Sequence, residues 1–163
     1  DHPPVVLVTP RVHDAATLAE TMGHAVYSSL TEDNLKKCCQ ELKEMHPDKL
    51  VLVAGQDQKH LDTPEKGNAS KIKAYAAAKA VDGQAVFPTF PRAEVEKHPE
   101  KCTSFNQLVK TEDGKDTIRA QINASIELKQ QRQKAAAENT KDRGASKHDA
   151  EKPASKDKEG RSR

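Results

Sequence analysis

The chain has 163 residues, and its 27 Lys and Arg almost balance its 25 Asp and Glu, which leaves a formal net charge of +2. That balance argues against a polycation that coats nucleic acid. With 34% hydrophobic residues and no Trp, we expect one domain with a modest aliphatic core, followed by a polar tail. The sequence has no run of eighteen apolar residues, so we expect no membrane-spanning helix and no membrane insertion.

Apolar strands and amphipathic helices alternate along the first half of the chain. The strands are predicted at Val5–Thr9, Ala25–Tyr27, Leu50–Ala54 and Gln84–Phe87, and the helices at His13–Met22, Glu32–Met45 and Ala69–Val81. Thr31 and Asn68 are predicted to cap the second and third helices. This order predicts an α/β, doubly wound fold, in which a mainly parallel four-stranded sheet carries helices on both faces.

The C-terminal third is predicted to be helical and then disordered. Ser104–Leu108 begins a short helical piece, and a long helix runs from Asp113 to about Ala137. Its predicted buried face consists of Ile118, Ile122, Ile126 and Leu128. Beyond Asn139 no apolar periodicity remains, which predicts a folded α/β domain over 1–138 and a disordered basic tail over 139–163. A solvated tail is the simpler interpretation of that segment, and a docking or secretion tag is the other.

The cysteines and histidines give little support for a metal site. The chain has three cysteines and no Cys-x-x-Cys pair, and its seven histidines show no His-x-x-x-His spacing, so a metal cluster is not expected. Cys38 and Cys39 share a predicted helix face with Leu35, Leu42 and Met45, which favours small buried apolar side chains. Unpaired cysteines fit a reducing compartment, so we expect a cytoplasmic protein. A start without Met or a signal peptide favours a piece of a longer protein.

A polar loop follows the third predicted strand, at the edge where open parallel sheets place their sites. It begins with Gly55, which lets the chain turn, and it continues through Gln56 and Gln58 to His60. Asp57 is the one carboxylate in the core of this loop. Neither a Walker loop nor a GxGxxG pattern is present.

Five stretches, in this order, resemble the Toprim-like domain of plasmid-transfer primases and relaxases. They are Val5–Thr9 with the helix after it, Ala54–His60, Lys66–Ala74, Val86–Phe90 and Ser104–Leu108. The resemblance extends from about Val5 to Ile126. Each stretch is a weak signal by itself, and their common order makes the resemblance more specific.

The resemblance implies metal-dependent phosphoryl or phosphodiester chemistry, with a glutamate as general acid or base and an Asp-x-Asp pair that holds Mg²⁺. At the matching positions this sequence has Thr9, Gln56 and Gln58 instead of acids. Ser104 and Gln107 replace the acids of the family's Phe-Asn motif. Neutral amides and hydroxyls bind Mg²⁺ weakly and do not exchange protons near neutral pH. The sequence therefore predicts a non-catalytic Toprim-like module without a cofactor.

We expect this module to belong to a larger conjugative DNA-transfer protein. There it would dock other proteins of the transfer complex or the secretion machinery, or hold the DNA backbone passively. One alternative is an active Mg²⁺-dependent primase or nuclease domain that uses Asp57. A second alternative is a phosphate-binding DNA module, because lysines and a histidine gather near the loop: Lys59, His60, Lys66, Lys71 and Lys73. An ordinary solvated lysine face also explains that group.

Overall fold

The computed structural model describes residues 4–59 and 67–146. In these ranges the strands β1 (Val5–Thr9), β2 (Ala25–Ser28), β3 (Leu50–Ala54) and β4 (Gln84–Val86) form one parallel sheet. The strand order is β2-β1-β3-β4. The helices are α1 (Val12–Met22), α2 (Leu35–Met45), α3 (Ala69–Ala80), α4 (Arg92–Lys97), α5 (Phe105–Leu108) and α6 (Gly114–Ser146), with a 3₁₀ turn at Pro99–Lys101. The predicted α/β fold with a parallel sheet is confirmed.

Helices cover both faces of the sheet, which explains why β1 and β3 are apolar at successive positions. Residues of α1, α5 and the first half of α6 pack on one face, with this core: Val5, Leu7, Leu18, Leu52, Ala54, Val86, Phe105, Leu108, Ile118, Ile122 and Ile126. Helices α2 and α3 pack on the other face, with a second core: Val6, Val8, Leu35, Cys39, Leu42, Val51, Val53, Ala74, Ala77, Ala78 and Val81. The sheet is therefore the middle layer of three.

The strand order places a switch point between the two central strands. The chain leaves β1 through α1 toward β2, on one side of the sheet, and it leaves β3 through α3 toward β4, on the other side. The loops after β1 and β3 consequently diverge at the carboxyl edge. Doubly wound folds place their ligand sites at such a switch point.

Three local predictions were wrong. Helix α2 begins at Leu35 rather than Glu32, because Thr31 Oγ1 accepts from the Asn34 amide at 3.3 Å in a turn that precedes the helix. Met45 is 62% exposed and Leu128 is 41% exposed. A helical position advances by about 100° per residue, so Leu128 lies about 200° around α6 from the buried Ile126. The predicted apolar faces were therefore too wide.

The chain divides into two compact units between Lys129 and Gln130. Helix α6 continues to Ser146, beyond its predicted end near Ala137, although residues 131–145 are exposed. The alanines at 135–137 and the many long polar side chains have high helix propensity. These residues do not repeat at an apolar period, so a search for apolar periodicity does not detect the helix. The remainder of the predicted tail, residues 147–163, lies outside the described residues, so the domain division stays a prediction. No helix in the described ranges is long and apolar enough to cross a membrane.

The cysteines are free thiols in the described structure, and their placement agrees with a packing role. Cys39 and Cys102 are buried, and Cys38 is half-buried. Burial, followed by the adjacent Cys38, raises the pKa of the Cys39 thiol to about 12. A thiol with that pKa is protonated near neutral pH and is a poor nucleophile.

Gly55 fixes how the loop after β3 leaves the sheet. Its amide donates to the Val86 carbonyl at 3.0 Å. A Cβ at this position would lie 2.6 Å from Phe87 Cε1 and 2.8 Å from Ala74 Cβ. Both separations are shorter than van der Waals contact, so Gly55 allows β3, β4 and α3 to approach closely.

We expect Gly55→Ala to lower the free energy of unfolding by about 1–3 kcal/mol, because the added methyl group overpacks the contact with Phe87 and Ala74. Urea denaturation followed by circular dichroism measures this loss. Gly144→Ala is the matched control, since a Cβ on this helical glycine meets nothing within 4 Å. Equal stability of the two variants would contradict the close packing around Gly55.

Candidate functional site

Polar side chains from three segments meet at the carboxyl edge of the two central strands. Thr9 ends β1, Gln56 follows β3 by two residues, and Asp14 lies in the first turn of α1. All three are buried, with exposures of 0%, 1% and 2% in that order. The strand alternation directs Thr9 and Gln56 toward the sheet face that α1 and α5 cover, since Leu7 and Ala54 lie two residues earlier on that face. We call these residues, together with Arg11, the switch-point site.

Asp14 is a buried acid that the sequence reasoning missed. Its Oδ1 accepts from the backbone amide of Asn106 at 2.8 Å, and the Asn106 side chain accepts from Thr17 Oγ1 at 3.2 Å. Burial raises the pKa of Asp14, and the hydrogen bonds from Asn106 and Gln56 oppose that rise only in part. An acid in the first turn of a helix is an ordinary sequence feature. Only its contact with α5, which is 92 residues distant, distinguishes it.

Gln56 connects Asp14 to an arginine. With the amide oriented to satisfy both of its ends, Gln56 Oε1 accepts from Arg11 Nε at 2.8 Å and from Arg11 Nη1 at 3.3 Å. Burial raises the pKa of Asp14, and a side-chain hydrogen bond with Gln56 opposes that rise. Arg11, Gln56 and Asp14 therefore form one continuous hydrogen-bonded chain across the switch point.

Thr9 occupies the position that the resemblance assigns to a glutamate. Its Oγ1 is buried and has no hydrogen-bond partner in the described residues. A hydroxyl group does not accept a proton near neutral pH, so Thr9 offers no acid–base chemistry. Thr9 at the end of β1 and Gln56 after β3 thus lie at the same edge of the sheet, and both are neutral.

Asp57 anchors the loop after β3. Its Oδ1 accepts from the Lys59 amide at 3.2 Å and from Asn68 Nδ2 at 2.6 Å, and its Oδ2 lies 3.4 Å from Lys71 Nζ. The backbone amide of Asp57 donates to the Thr103 carbonyl at 3.0 Å. Burial opposes ionisation, but these hydrogen bonds and the Lys71 charge outweigh it and lower the pKa of Asp57.

Asn68 caps α3, as predicted. Its Oδ1 accepts from the backbone amides of Lys71 and Gln58, each at 3.3 Å. Gln58 is half-buried, and its backbone amide contacts this cap. Asp57 and Asn68 together fasten the two ends of the β3–α3 connection.

Ser104 and Gln107 form a capping box at the start of α5. Ser104 Oγ accepts from the Gln107 amide at 3.3 Å, and Gln107 Oε1 accepts from the Ser104 amide at 3.2 Å. Gln107 Oε1 also accepts from the amide and the hydroxyl of Thr103. These two predicted site positions therefore have a structural role in the described fold, since they order the segment that holds Asn106 against Asp14.

Two of the predicted DNA-binding lysines already have carboxylate partners. Lys71 pairs with Asp57 and lies 4.9 Å from the centre of the Phe87 ring. Lys73 Nζ lies 2.8 Å from Asp33 Oδ1. Lys59 is exposed. The other two members of that predicted group, His60 and Lys66, lie outside the described residues.

The donors at this edge do not fit Mg²⁺, which prefers carboxylate oxygens and bound water. Asp14 and Asp57 both direct their oxygens at protein donors, and the Gln56 oxygen faces a guanidinium group. No group of three or more His, Cys, Asp or Glu side chains is arranged to hold a metal within residues 4–59 and 67–146.

The fold and site define an α/β module with buried polar side chains at the switch point of a parallel sheet. Two curated relatives, both Escherichia coli proteins titled DNA primase TraC, are 38% and 36% identical to this chain over 91 residues. These residues are 56% of this chain but only 6% and 9% of the relatives, so the chain spans less than a tenth of their length. The resemblance to plasmid-transfer primases is thereby confirmed, and the chain carries a module related to them. No family model and no solved structure matches it.

Asp57→Asn should lower the free energy of unfolding at pH 7 by about 1–3 kcal/mol, because the variant loses charge-assisted hydrogen bonds inside the loop. The pKa of Asp57 in the folded chain lies below its ordinary value of 3.8, so its ionisation stabilises the fold above that pH. This stabilisation disappears as the pH falls through the folded pKa. Urea denaturation between pH 7 and pH 3 should therefore show that the unfolding free energies of the variant and the unmodified chain converge only at the acidic end. A constant difference at all pH values would contradict the assignment.

Proposed function

We propose that this chain is a non-catalytic Toprim-like module of a larger DNA-transfer protein related to the primases, and that it serves as a protein-docking domain. The observation that carries the proposal is that both carboxylates near the switch point, Asp14 in α1 and Asp57 in the loop after β3, accept hydrogen bonds from protein donors. A Mg²⁺ site needs anionic oxygens that are free to bind the cation. The site has kept its polar shape, and its residues stabilise the module rather than hold a metal.

The exposed surface of α3 supports docking. Ile72 is 64% exposed and Tyr75 is 53% exposed, one helical turn apart. The Tyr75 ring packs against Phe87 with a centroid distance of 5.0 Å, which orders an aromatic side chain at the surface. Tyrosine is one of the residues that are enriched in binding hot spots.

DNA binding through the backbone phosphates is the second candidate, and exposed Lys59 favours it. However, Lys71 and Lys73 would first have to leave Asp57 and Asp33 before they could neutralise phosphates. Each lost ion pair offsets part of the gain from counterion release. The three described lysines of this group therefore support weak DNA binding at most.

A metal-dependent enzyme that uses Asp57 is the rival from another functional class. With a single-stranded template, nucleoside triphosphates and Mg²⁺ or Mn²⁺, we expect the purified chain to make no primer and to cleave no DNA. A gel assay with a radiolabelled substrate measures both activities. Activity that Asp57→Ala abolishes, while Asp33→Ala leaves it intact, would contradict the non-catalytic assignment.

A cross-linking experiment tests docking directly. Tyr75 is replaced by the photoreactive amino acid p-benzoylphenylalanine in the longer protein, in cells that carry out DNA transfer. We expect a cross-linked product that protease removes and nuclease leaves intact. Exposed Leu128 is the matched control position, which should give no such product.

Fluorescence anisotropy with labelled DNA tests the second candidate function, DNA binding, against docking. The expected dissociation constant at physiological salt is weak, on the order of 10⁻⁴ M. Submicromolar binding that falls steeply with salt, and that Lys59→Ala with Lys66→Ala removes, would replace docking by DNA binding.

A further inference from the structure

We infer that the Arg11 guanidinium is a built-in counter-cation of the switch-point site, which locks the Gln56 amide against Asp14 and keeps divalent cations from that carboxylate. The inference deepens the proposed function and rests on it, because it says which residues make the site non-catalytic. Replacement of the family's acids by neutral residues does not by itself require an arginine at this place. We therefore assign to Arg11 a positioning role in addition to that replacement.

Arg11 sets the orientation of the Gln56 side-chain amide. Gln56 Oε1 accepts from two nitrogens of one guanidinium group, at 2.8 Å and 3.3 Å. The planar fork of an arginine holds an acceptor oxygen in a defined direction, which a lysine ammonium does not. Because Arg11 holds the only side-chain oxygen of Gln56, the amide turns its NH₂ group toward Asp14.

A divalent cation that approached Asp14 would meet hydrogen-bond donors. It would encounter the hydrogens of the Gln56 side-chain amide, which repel it, instead of a second oxygen ligand. Asn106 already occupies Asp14 Oδ1 through a backbone amide at 2.8 Å. Since Asp14 is 2% exposed, a bound cation would also have to lose most of its water in a site with a single carboxylate.

Arg11 also changes the local charge at Asp14. Arg11 is itself exposed and reaches the buried Gln56 side chain from the protein surface. Burial raises the pKa of Asp14, and the positive charge of Arg11 is among the causes that act in the opposite direction. The guanidinium group thus supplies, from the chain itself, positive charge that a bound metal would otherwise provide.

The test is a pair of variants that differ only at Arg11. Gln56→Asp adds a carboxylate beside Asp14, but Arg11 should pair with it and keep Mn²⁺ binding as weak as in the unmodified chain. Adding Arg11→Ala should tighten Mn²⁺ binding by about tenfold or more, because two neighbouring carboxylates then lack a cation. Isothermal titration calorimetry measures both affinities, and amide NMR spectra verify that each variant is folded.

The matched control is Gln58→Asp with Arg11→Ala, which has the same net charge but places the carboxylate outside the Arg11–Gln56 contact. We expect no gain in Mn²⁺ affinity from this control. An equal gain in the control, or equally tight binding by Gln56→Asp with Arg11 intact, would overturn the inference. Micromolar binding by the unmodified chain would instead overturn the proposed function, so the two failures are distinguishable.

A measurement on the unmodified chain covers the case in which the double variant does not fold. The Arg11 Nε–H should exchange slowly with water and give a visible NMR signal near neutral pH, because Gln56 accepts its proton. Exposed Arg132 provides the reference for fast exchange. If the Arg11 signal disappears as readily as that of Arg132, the guanidinium group is not held and the inference is wrong.

Discussion

The parallel pairing of β1 with β3 determines where every residue of the site lies. These strands pair with Val5 opposite Leu50 and Val8 opposite Val53, so they end at the same edge of the sheet. Their connections then leave in opposite directions, which makes this edge the switch point of the sheet. Thr9, Gln56 and Asp57 are therefore neighbours at one edge, although about fifty positions separate the first from the others in the sequence.

The chemistry of this edge is dominated by hydrogen bonds within the protein. Asp14 and Asp57 have opposite pKa shifts because their surroundings differ: burial dominates at Asp14, whereas donors and Lys71 outweigh burial at Asp57. Asp14 accepts from α5, which is 92 residues distant, whereas Asp57 accepts from Lys59 in its own loop and from the start of α3. The side chains that could have held a cation thus fasten neighbouring segments to one another and stabilise the module.

Local patterns predicted the elements of this fold well. Two all-apolar runs became the central strands, and Asn68 before an alanine-rich segment became the cap of α3, because both signals depend on neighbouring residues only. Met45 and Leu128 were misplaced, since an apolar residue at the margin of a helical stripe can face solvent. The exposed continuation of α6 to Ser146 was missed because a helix without a packed face has no apolar period.

The candidate site was only partly predictable. The strand ends indicated which edge of the sheet would carry Thr9 and the loop with Gln56, but nothing local distinguishes Arg11 and Asp14 from other charged residues near a helix start. Their importance arises from contacts across the fold, which a single sequence does not encode as a pattern. A Mn²⁺ titration of the unmodified chain, followed by amide NMR, tests the central claim most directly. The signals of Thr9, Gln56 and Asp57 should stay sharp up to millimolar Mn²⁺ if protein donors satisfy the site. Selective broadening of these signals at micromolar Mn²⁺, reversed by excess Mg²⁺, would show a working metal site and contradict the claim.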